Sequence, residues 1–389
     1  MKLPFSKISC DGNEADYVLE VLKSGWLTSA SKVKELEKNF AQYVNARYAC
    51  AVNSCTAALH LGLEALGIRS SDKVFVPSIT FTATAEVLRY LNADPIFLDV
   101  EYGSALVTPE ILAKAIRKYP SAKALILVHY GGQAAQLLSN NGNDILTICK
   151  SNRLSLIEDA AHAFPTRIEK NIIGSLGDVT CFSFYANKTI TTGEGGMLTT
   201  NREDIAKRTK IMRLHGINRD IWDRYTNNMA DWEYDVVAPG FKYNMADINA
   251  AIGLAQLEKA EYFRKKRQDC AEHYFTCLSN ISGIDLPVIH CDFNDHSWHL
   301  FHIILNENSS ITRNDFVVQM AQNGIGTSVH YKPLYRMSYY KSTYNLDPYD
   351  YPNSERFWRG CVSLPIYPSL TKKELEYVCK TIHAILNNK

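Results

Sequence analysis

"KALILVHYGG", residues 123–132, decides the fold. Ala124 to Val128 are apolar without a break, and the run stops at a histidine, a tyrosine and two glycines. A strand with one wet face alternates apolar and polar residues, whereas a continuous run of this length is the pattern of a strand covered on both faces. The same texture recurs in "KVFVPS" (73–78), "DPIFLDV" (94–100), "LSLIEDA" (154–160) and "DVTCFSF" (178–184). Helical spacing lies between or before these runs. Val33, Leu36, Phe40 and Val44 fall on one face, as do Leu59, Leu63 and Leu66. Strands alternating with helices predict an α/β fold, a mostly parallel sheet with right-handed crossovers and helices on both sides.

After Gly240 the texture changes. "DINAAIGLAQLEKAEYFRKKRQDCAEHYF" (247–275) reads as one long charged helix, followed by broken segments such as "HLFHIILN" (299–306) and a closing helix over 372–387. The expected organisation is a large α/β domain over residues 1–250 and a smaller C-terminal α+β domain over 251–389, joined by the long helix. The 389 residues leave room for both at about 150 residues per domain.

Composition narrows the function classes. Apolar residues make up 46% and charged residues 21%, as in soluble globular proteins. Lys plus Arg number 42 against 41 acidic residues, a net charge of +1, so no global field draws nucleic acid or an anionic membrane. An anionic ligand has to be held by local groups. The ten cysteines form no C-x-x-C pair, so zinc and redox spacings are absent and no metal site is expected. Their scatter fits a reducing compartment. No apolar run is long enough for a signal peptide or a membrane span. A cytoplasmic protein is the expectation.

The chemistry collects at the strand ends, where open parallel sheets bind ligands. "KVFVPS" leads to Ser78, Thr80 and Phe81. "ALILVHY" ends at His129 and Tyr130. "LSLIED" ends at Glu158 and Asp159, with His162 soon after, and "DVTCFSF" runs through Ser183 to Lys188. Each has an ordinary reading: a solvated loop lysine, an Asp helix cap, a hydrogen-bonded scaffold histidine. Upstream, "NSCTAALHL" (53–61) has Asn53 and Ser54 as good N-caps, and its helix start with the Thr56 hydroxyl suits a phosphate. Neither a dinucleotide fingerprint nor a P-loop occurs. A phosphate cup, an aromatic ring, an Asp at a strand end and a Lys amine are together the parts of a pyridoxal phosphate site.

The chain resembles the DegT/DnrJ/EryC1/StrS sugar aminotransferases nearly end to end. The matching segments include "SGWLTSASKVKELEKNFAQYV" (24–44), "VPSITFTATAEVL" (76–88), "IEDAAHA" (157–163), "SFYANKTITTGEGGM" (183–197), "PGFKYNMADINAAIGLAQLEK" (239–259) and "GIGTSVHYKPL" (324–334). The resemblance implies the fold-type I aspartate aminotransferase architecture. It implies Lys188 as the Schiff-base lysine and proton shuttle, Asp159 as the pyridinium partner, and Cys55, Thr56 and Ser183 as phosphate ligands. Phe81 is implied as the stacking ring, and His162 as the group near the cofactor's hydroxyl. Asn244 is implied to reach the phosphate of the other subunit's cofactor, which requires a homodimer. Trp26, Leu27 and His330 fall in segments that face the sugar nucleotide in relatives. Pyridoxal 5'-phosphate, with pyridoxamine 5'-phosphate between half-reactions, is the implied cofactor. A nucleotide-linked keto sugar and L-glutamate are the implied substrates. "PGFKYNMADINAAIGLAQL" (239–257) with "HGINRDIWDR" (215–224) is most similar to enzymes acting at C4 of UDP-sugars, and "VHYKPLYRMSYYK" (329–341) leans toward those making UDP-4-amino-4,6-dideoxy-N-acetylhexosamines, as in lipopolysaccharide or O-antigen biosynthesis.

Two departures stand out. Ser29-Ala30-Ser31 replaces the family's Thr-Gly-Pro turn, and "GGQAAQLLSNNGNDIL" (131–146) lacks the usual short acidic turn. Three other readings compete. One is C3 amination of dTDP-sugars. A pyridoxamine-dependent dehydratase is disfavoured because those relatives carry histidine where this chain has Lys188. A non-catalytic cofactor-binding regulator is disfavoured by intact Lys188 and Asp159.

Overall fold

The structure, a computed structural model, describes residues 1–139, 142–169, 171–218 and 234–387. Its large sheet has seven strands: β1 (Tyr48–Val52), β2 (Lys73–Pro77), β3 (Asp94–Leu98), β4 (Ala124–Val128), β5 (Ser155–Asp159), β8 (Val179–Ser183) and β9 (Gly196–Thr200). A short hairpin, β6 (Arg167–Ile168) and β7 (Asn171–Ile172), lies outside it. The strand order is β1-β9-β8-β5-β4-β2-β3. β3, β2, β4, β5 and β8 run parallel, while β9 pairs antiparallel with both β1 and β8. Every run read as a buried strand is one. β1 and β9 were not anticipated.

The continuous apolar runs have a direct cause. Leu125 and Leu127 of β4 pack on one face of the sheet and Ala124 and Ile126 on the other, all buried. The first face is covered by α2 (Ser31–Tyr43), α5 (Pro109–Lys118), α6 (Ile145–Ser151) and α8 (Asp247–Glu258). The second is covered by α3 (Cys55–Ala65), α4 (Ala83–Tyr90) and α7 (Glu203–Met212). α1 (Glu14–Ser24) packs on α8.

The long helix read over 247–275 is two helices, α8 and α9 (Ala260–Leu278), broken at Lys259. Lys259 ends one helix and begins the next, and its ammonium is held by Asp11 at 3.0 Å and Glu14 at 2.5 Å. These carboxylates, at and before the start of α1, tether the break. Beyond it, an antiparallel sheet of β10 (Ile284–Asp285), β11 (Phe301–Leu305) and β12 (Cys361–Leu364) forms its own core with α9, α10 (Arg313–Gln322) and α13 (Lys372–Asn387). α11 (Ser338–Tyr344) and α12 (Pro352–Gly360) precede β12.

The glycines that end β4 join the two sheets. Leu300 N–H donates to Gly131 O at 2.9 Å and Ser297 N–H to Gly132 O at 3.0 Å. Gly132 sits at φ +109°, and a Cβ there would lie 2.3 Å from Ser297 Oγ, so only glycine permits this approach. The 131–146 departure packs as well. Asp144 caps α6 by accepting from Thr147 N–H at 2.7 Å, and Gln133 Nε2 donates to Val288 O at 3.1 Å.

Candidate active site

The carboxyl ends of β4 and β5 are level, with Val128 opposite Asp159, and β8 runs two residues past Asp159's partner Cys181 to Ser183. Beside them opens a cavity of about 310 Å³, the size of a small-ligand site. Cys55, Thr56, Phe81, Asp159, His162, Ser183, Lys188 and His330 all line it. Trp26, Leu27 and Asn244 do not, and they form a second group. Asn244 Nδ2 donates to Ser29 Oγ at 2.7 Å, and Ser29 Oγ donates to Met245 O at 2.5 Å. The serine that departs from the family turn therefore ties the Trp26–Leu27 loop to the Asn244 segment. Asp247 completes the tie by accepting from Ala30, Lys32 and Val33 N–H at the start of α2.

The floor of the cavity is the start of α3. Ser54 is the N-cap, extended at φ −165°, and its Oγ accepts from Ala57 N–H at 3.1 Å. The first-turn N–H groups of Cys55 and Thr56 have no partner within a helix, which makes this end an anion cradle. Gly196 lets β9 lie flush against it, since a Cβ would come 2.5 Å from Ser54 C.

Asp159 is buried at the end of β5. Its Oδ2 accepts from Thr84 Oγ1 at 2.8 Å and its Oδ1 from Ala161 N–H at 3.1 Å. Burial raises its carboxyl above the ordinary value of 3.8, with Thr84, Ala161 and Lys188 opposing that rise. Neighbouring Glu158 points away and serves the scaffold. It accepts from Gly177 N–H at 2.7 Å and Thr180 Oγ1 at 2.9 Å, and pairs with His129 Nε2 at 2.9 Å.

Lys188 hangs from the loop between β8 and β9. Thr191 and Thr192 fix that loop: Thr191 Oγ1 donates to Phe184 O at 3.0 Å, and Thr192 Oγ1 to Glu194 O at 2.7 Å. Gly193, at φ +79°, makes the turn and donates to Thr191 Oγ1 at 2.9 Å. Burial pulls the Lys188 ammonium down to about 8, against the opposing pull of Cys55 and Asp159. A lysine so placed is still mostly charged at pH 7, but its free-amine fraction is far larger than that of an ordinary lysine.

His162 is held at both nitrogens. Nδ1 accepts from Gly131 N–H at 3.3 Å, so Nε2 carries the proton and donates to Tyr331 OH, 3.0 Å away. The Tyr331 oxygen is thus an acceptor toward His162, and its own proton is left for another partner in the cavity it lines. Burial holds His162 well below 6.5, in keeping with the neutral ring. His330 Nδ1 lies 2.8 Å from Ser363 Oγ, and burial pulls its imidazole down to about 4. Tyr331, Thr84 and Asn187 were not singled out from sequence. Tyr331 and Thr84 sit inside quoted motifs, but neither carries a local signal of its role. Asn187 is one residue before the lysine, and its buried Oδ1 has no partner among the described residues.

A family profile, the DegT/DnrJ/EryC1/StrS aminotransferase family, matches residues 9–383. The chain belongs to that family. It is 38% identical over 386 residues to the spore coat polysaccharide biosynthesis protein SpsC of Bacillus subtilis (strain 168), covering 99% of this chain and 97% of that one. Among solved structures, Helicobacter pylori PseC, an aminotransferase involved in the biosynthesis of pseudoaminic acid, superposes at a TM-score of 0.89 with 25% identity and full coverage of both chains. The putative sugar aminotransferase Spr1654 of Streptococcus pneumoniae superposes at 0.87 with 29% identity, covering 99% of this chain and 98% of that one. It has been solved in its PLP and PMP forms.

Members of the DegT/DnrJ/EryC1/StrS family are PLP-dependent sugar aminotransferases, and this chain is one. The residues present fit the cofactor. The α3 cradle suits its phosphate, buried Asp159 suits a cationic ring nitrogen, and Lys188 suits its aldehyde. When bound, the pyridoxal group supplies the carbonyl that exchanges amino groups and the ring that takes up the electron pair of the reacting carbon. Among the described residues no helix is long and apolar enough to cross a membrane.

Proposed function

We propose that this sugar aminotransferase converts a nucleotide-linked 4-keto sugar, of the UDP class, to the 4-amino sugar, with L-glutamate as amine donor. The reaction would serve cell-surface polysaccharide synthesis in the cytoplasm. The observation that carries the reading is Lys188 facing Asp159 across one cavity floored by the α3 N-terminus. The likeness to SpsC and PseC, whose names speak of polysaccharide and pseudoaminic acid biosynthesis, supports a surface-glycan sugar. "VHYKPLYRMSYYK" supports amination at C4. "HGINRDIWDR" does so only in part, because beyond residue 218 it lies outside the described residues.

In this reading Lys188 Nζ would hold the cofactor and, when free, would move a proton at the reacting sugar carbon. A lysine already lowered to about 8 exchanges that proton readily near neutral pH. Asp159 would keep the ring nitrogen protonated, Phe81 would pack against the ring, and Cys55, Thr56 and Ser183 would hold the phosphate. His162 with Tyr331 and His330 would orient the bound groups. Asn244, Trp26 and Leu27, gathered outside the cavity of their own chain, complete the site of the partner in a homodimer.

The test is to offer the pyridoxamine form a panel of UDP- and dTDP-linked 4-keto and 3-keto sugars, identifying products by mass spectrometry and NMR. A UDP-4-amino sugar as the fastest product is the expected result. Fastest amination of a dTDP-3-keto sugar would replace the proposal with the C3 reading. Deoxygenation without amine transfer would replace it with a dehydratase.

A further inference from the structure

His273 and Cys277 are four residues apart on α9, so both side chains face the same way. Cys379 of α13 meets them there, and the three donor atoms all lie within 4.8 Å of one another. Cys277 Sγ is 3.4 Å from His273 Nε2. A tetrahedral ion with bonds of about 2.3 Å to sulfur and 2.0–2.1 Å to nitrogen holds two such ligands roughly 3.5 Å apart. The pair is therefore spaced as ligands of one ion. Cys379 is buried in the C-terminal core, while Cys277 and His273 are half-buried, so the cluster is anchored inside and open toward solvent. One turn beyond Cys379, His383 Nε2 donates to Cys277 O at 3.0 Å and clamps α13 to the ligand-bearing turn. None of these residues lines the active-site cavity.

We propose that His273, Cys277 and Cys379 bind a thiophilic divalent cation of the zinc class, with water as a fourth ligand, stapling α13 to α9. Two thiolates and an imidazole are a soft donor set that favours zinc over magnesium or calcium. Binding releases the two thiol protons to solvent and forms two metal–sulfur bonds and one metal–nitrogen bond. A disulfide between the two cysteines would give the imidazole no part. All ten cysteines are free. No short motif announces the site because its ligands come from helices far apart in sequence.

The test uses the PLP-loaded enzyme, without an affinity tag, purified under reducing conditions from zinc-supplemented culture. Metal content is read by inductively coupled plasma mass spectrometry. Wild type is expected to retain about one zinc per chain. His273→Gln and Cys379→Ser are each expected to lower zinc affinity at least about tenfold. Cobalt substituted at the site is expected to give tetrahedral d–d bands to the red of cofactor absorption. If Cys379→Ser fails to fold, half-exposed His273→Gln decides alone. Wild type that retains no zinc after zinc addition, retention unchanged by His273→Gln, or a Cys277–Cys379 disulfide in mapped peptides each overturns the proposal.

Discussion

Asp159→Asn separates the charge of this side chain from its shape. Asp159 Oδ1 accepts from Ala161 N–H, and an asparagine oxygen keeps that bond. Its amide nitrogen then faces Thr84 Oγ1, which now donates to Asp159 Oδ2 and pairs with Thr80 Oγ1 at 2.7 Å. Reversing those two hydroxyls lets Thr84 accept from the amide and donate to Thr80, so no buried polar atom is orphaned. What is lost is the negative charge. A hydrogen bond to an ionised group contributes about 1.5–3 kcal/mol, and each 1.36 kcal/mol is tenfold, so turnover should fall about 10- to 150-fold. The neutral amide also cannot hold the ring nitrogen protonated, which pushes the loss to the upper end of that range.

Stability moves the other way. Burial raises the folded carboxyl above its ordinary value, so between the two values the folded state binds more protons than the unfolded one. The charge therefore costs stability at neutral pH, and that cost disappears as pH falls. Cofactor-free Asp159→Asn should melt at or above cofactor-free wild type, while its gain in melting temperature on adding PLP should shrink. Steady-state kinetics and thermal unfolding of both forms check this. Near-normal turnover, or a cofactor-free variant that melts well below wild type, would refute the reasoning.

The Lys188 amine, lowered to about 8, is charged below that pH and neutral above it, so the rate of PLP capture by cofactor-free enzyme should rise to a plateau through pH 8. Stopped-flow measurement of the visible cofactor band checks the midpoint, and Lys188→Ala should show neither the band nor a borohydride-locked adduct. Tyr331→Phe removes the donor that the His162 tautomer leaves facing the cavity. A neutral hydrogen bond contributes about 0.5–1.5 kcal/mol, so turnover should drop about 2- to 10-fold with a shifted pH midpoint of the cofactor band. A variant matching wild type in both would remove the tautomer assignment. Inactive Lys188→Ala and Asn244→Ala subunits, mixed and allowed to exchange, should recover up to about half the activity per dimer, since one of two shared sites is then intact. Mixed dimers that form and stay inactive would make Asn244 a local bond to Ser29 and nothing more.

The unbroken apolar runs announced a sheet covered on both faces, because a residue whose neighbours on either side are also buried has no polar alternative. Lys188, Asp159 and the "NSCTAALHL" helix start were legible for a related reason: strand ends and caps carry local chemical signals that survive in one dimension. β1 and β9 were not legible. "YACAV" and "GMLTT" are rich in small residues or threonine, and become strands as β9 pairs with both β1 and β8. Nor was the break at Lys259, which Asp11 and Glu14 hold from far upstream. The sequence alone determined the layered α/β class through periodicity, and strand ends together with the family resemblance marked the cofactor chemistry and the residues that the structure brings to one cavity. Only the tertiary structure decided that Tyr331 meets His162 in the cavity, and that Ser29 binds the Asn244 segment outside it. Those are contacts between segments distant along the chain, and close packing, not local propensity, sets which atoms meet.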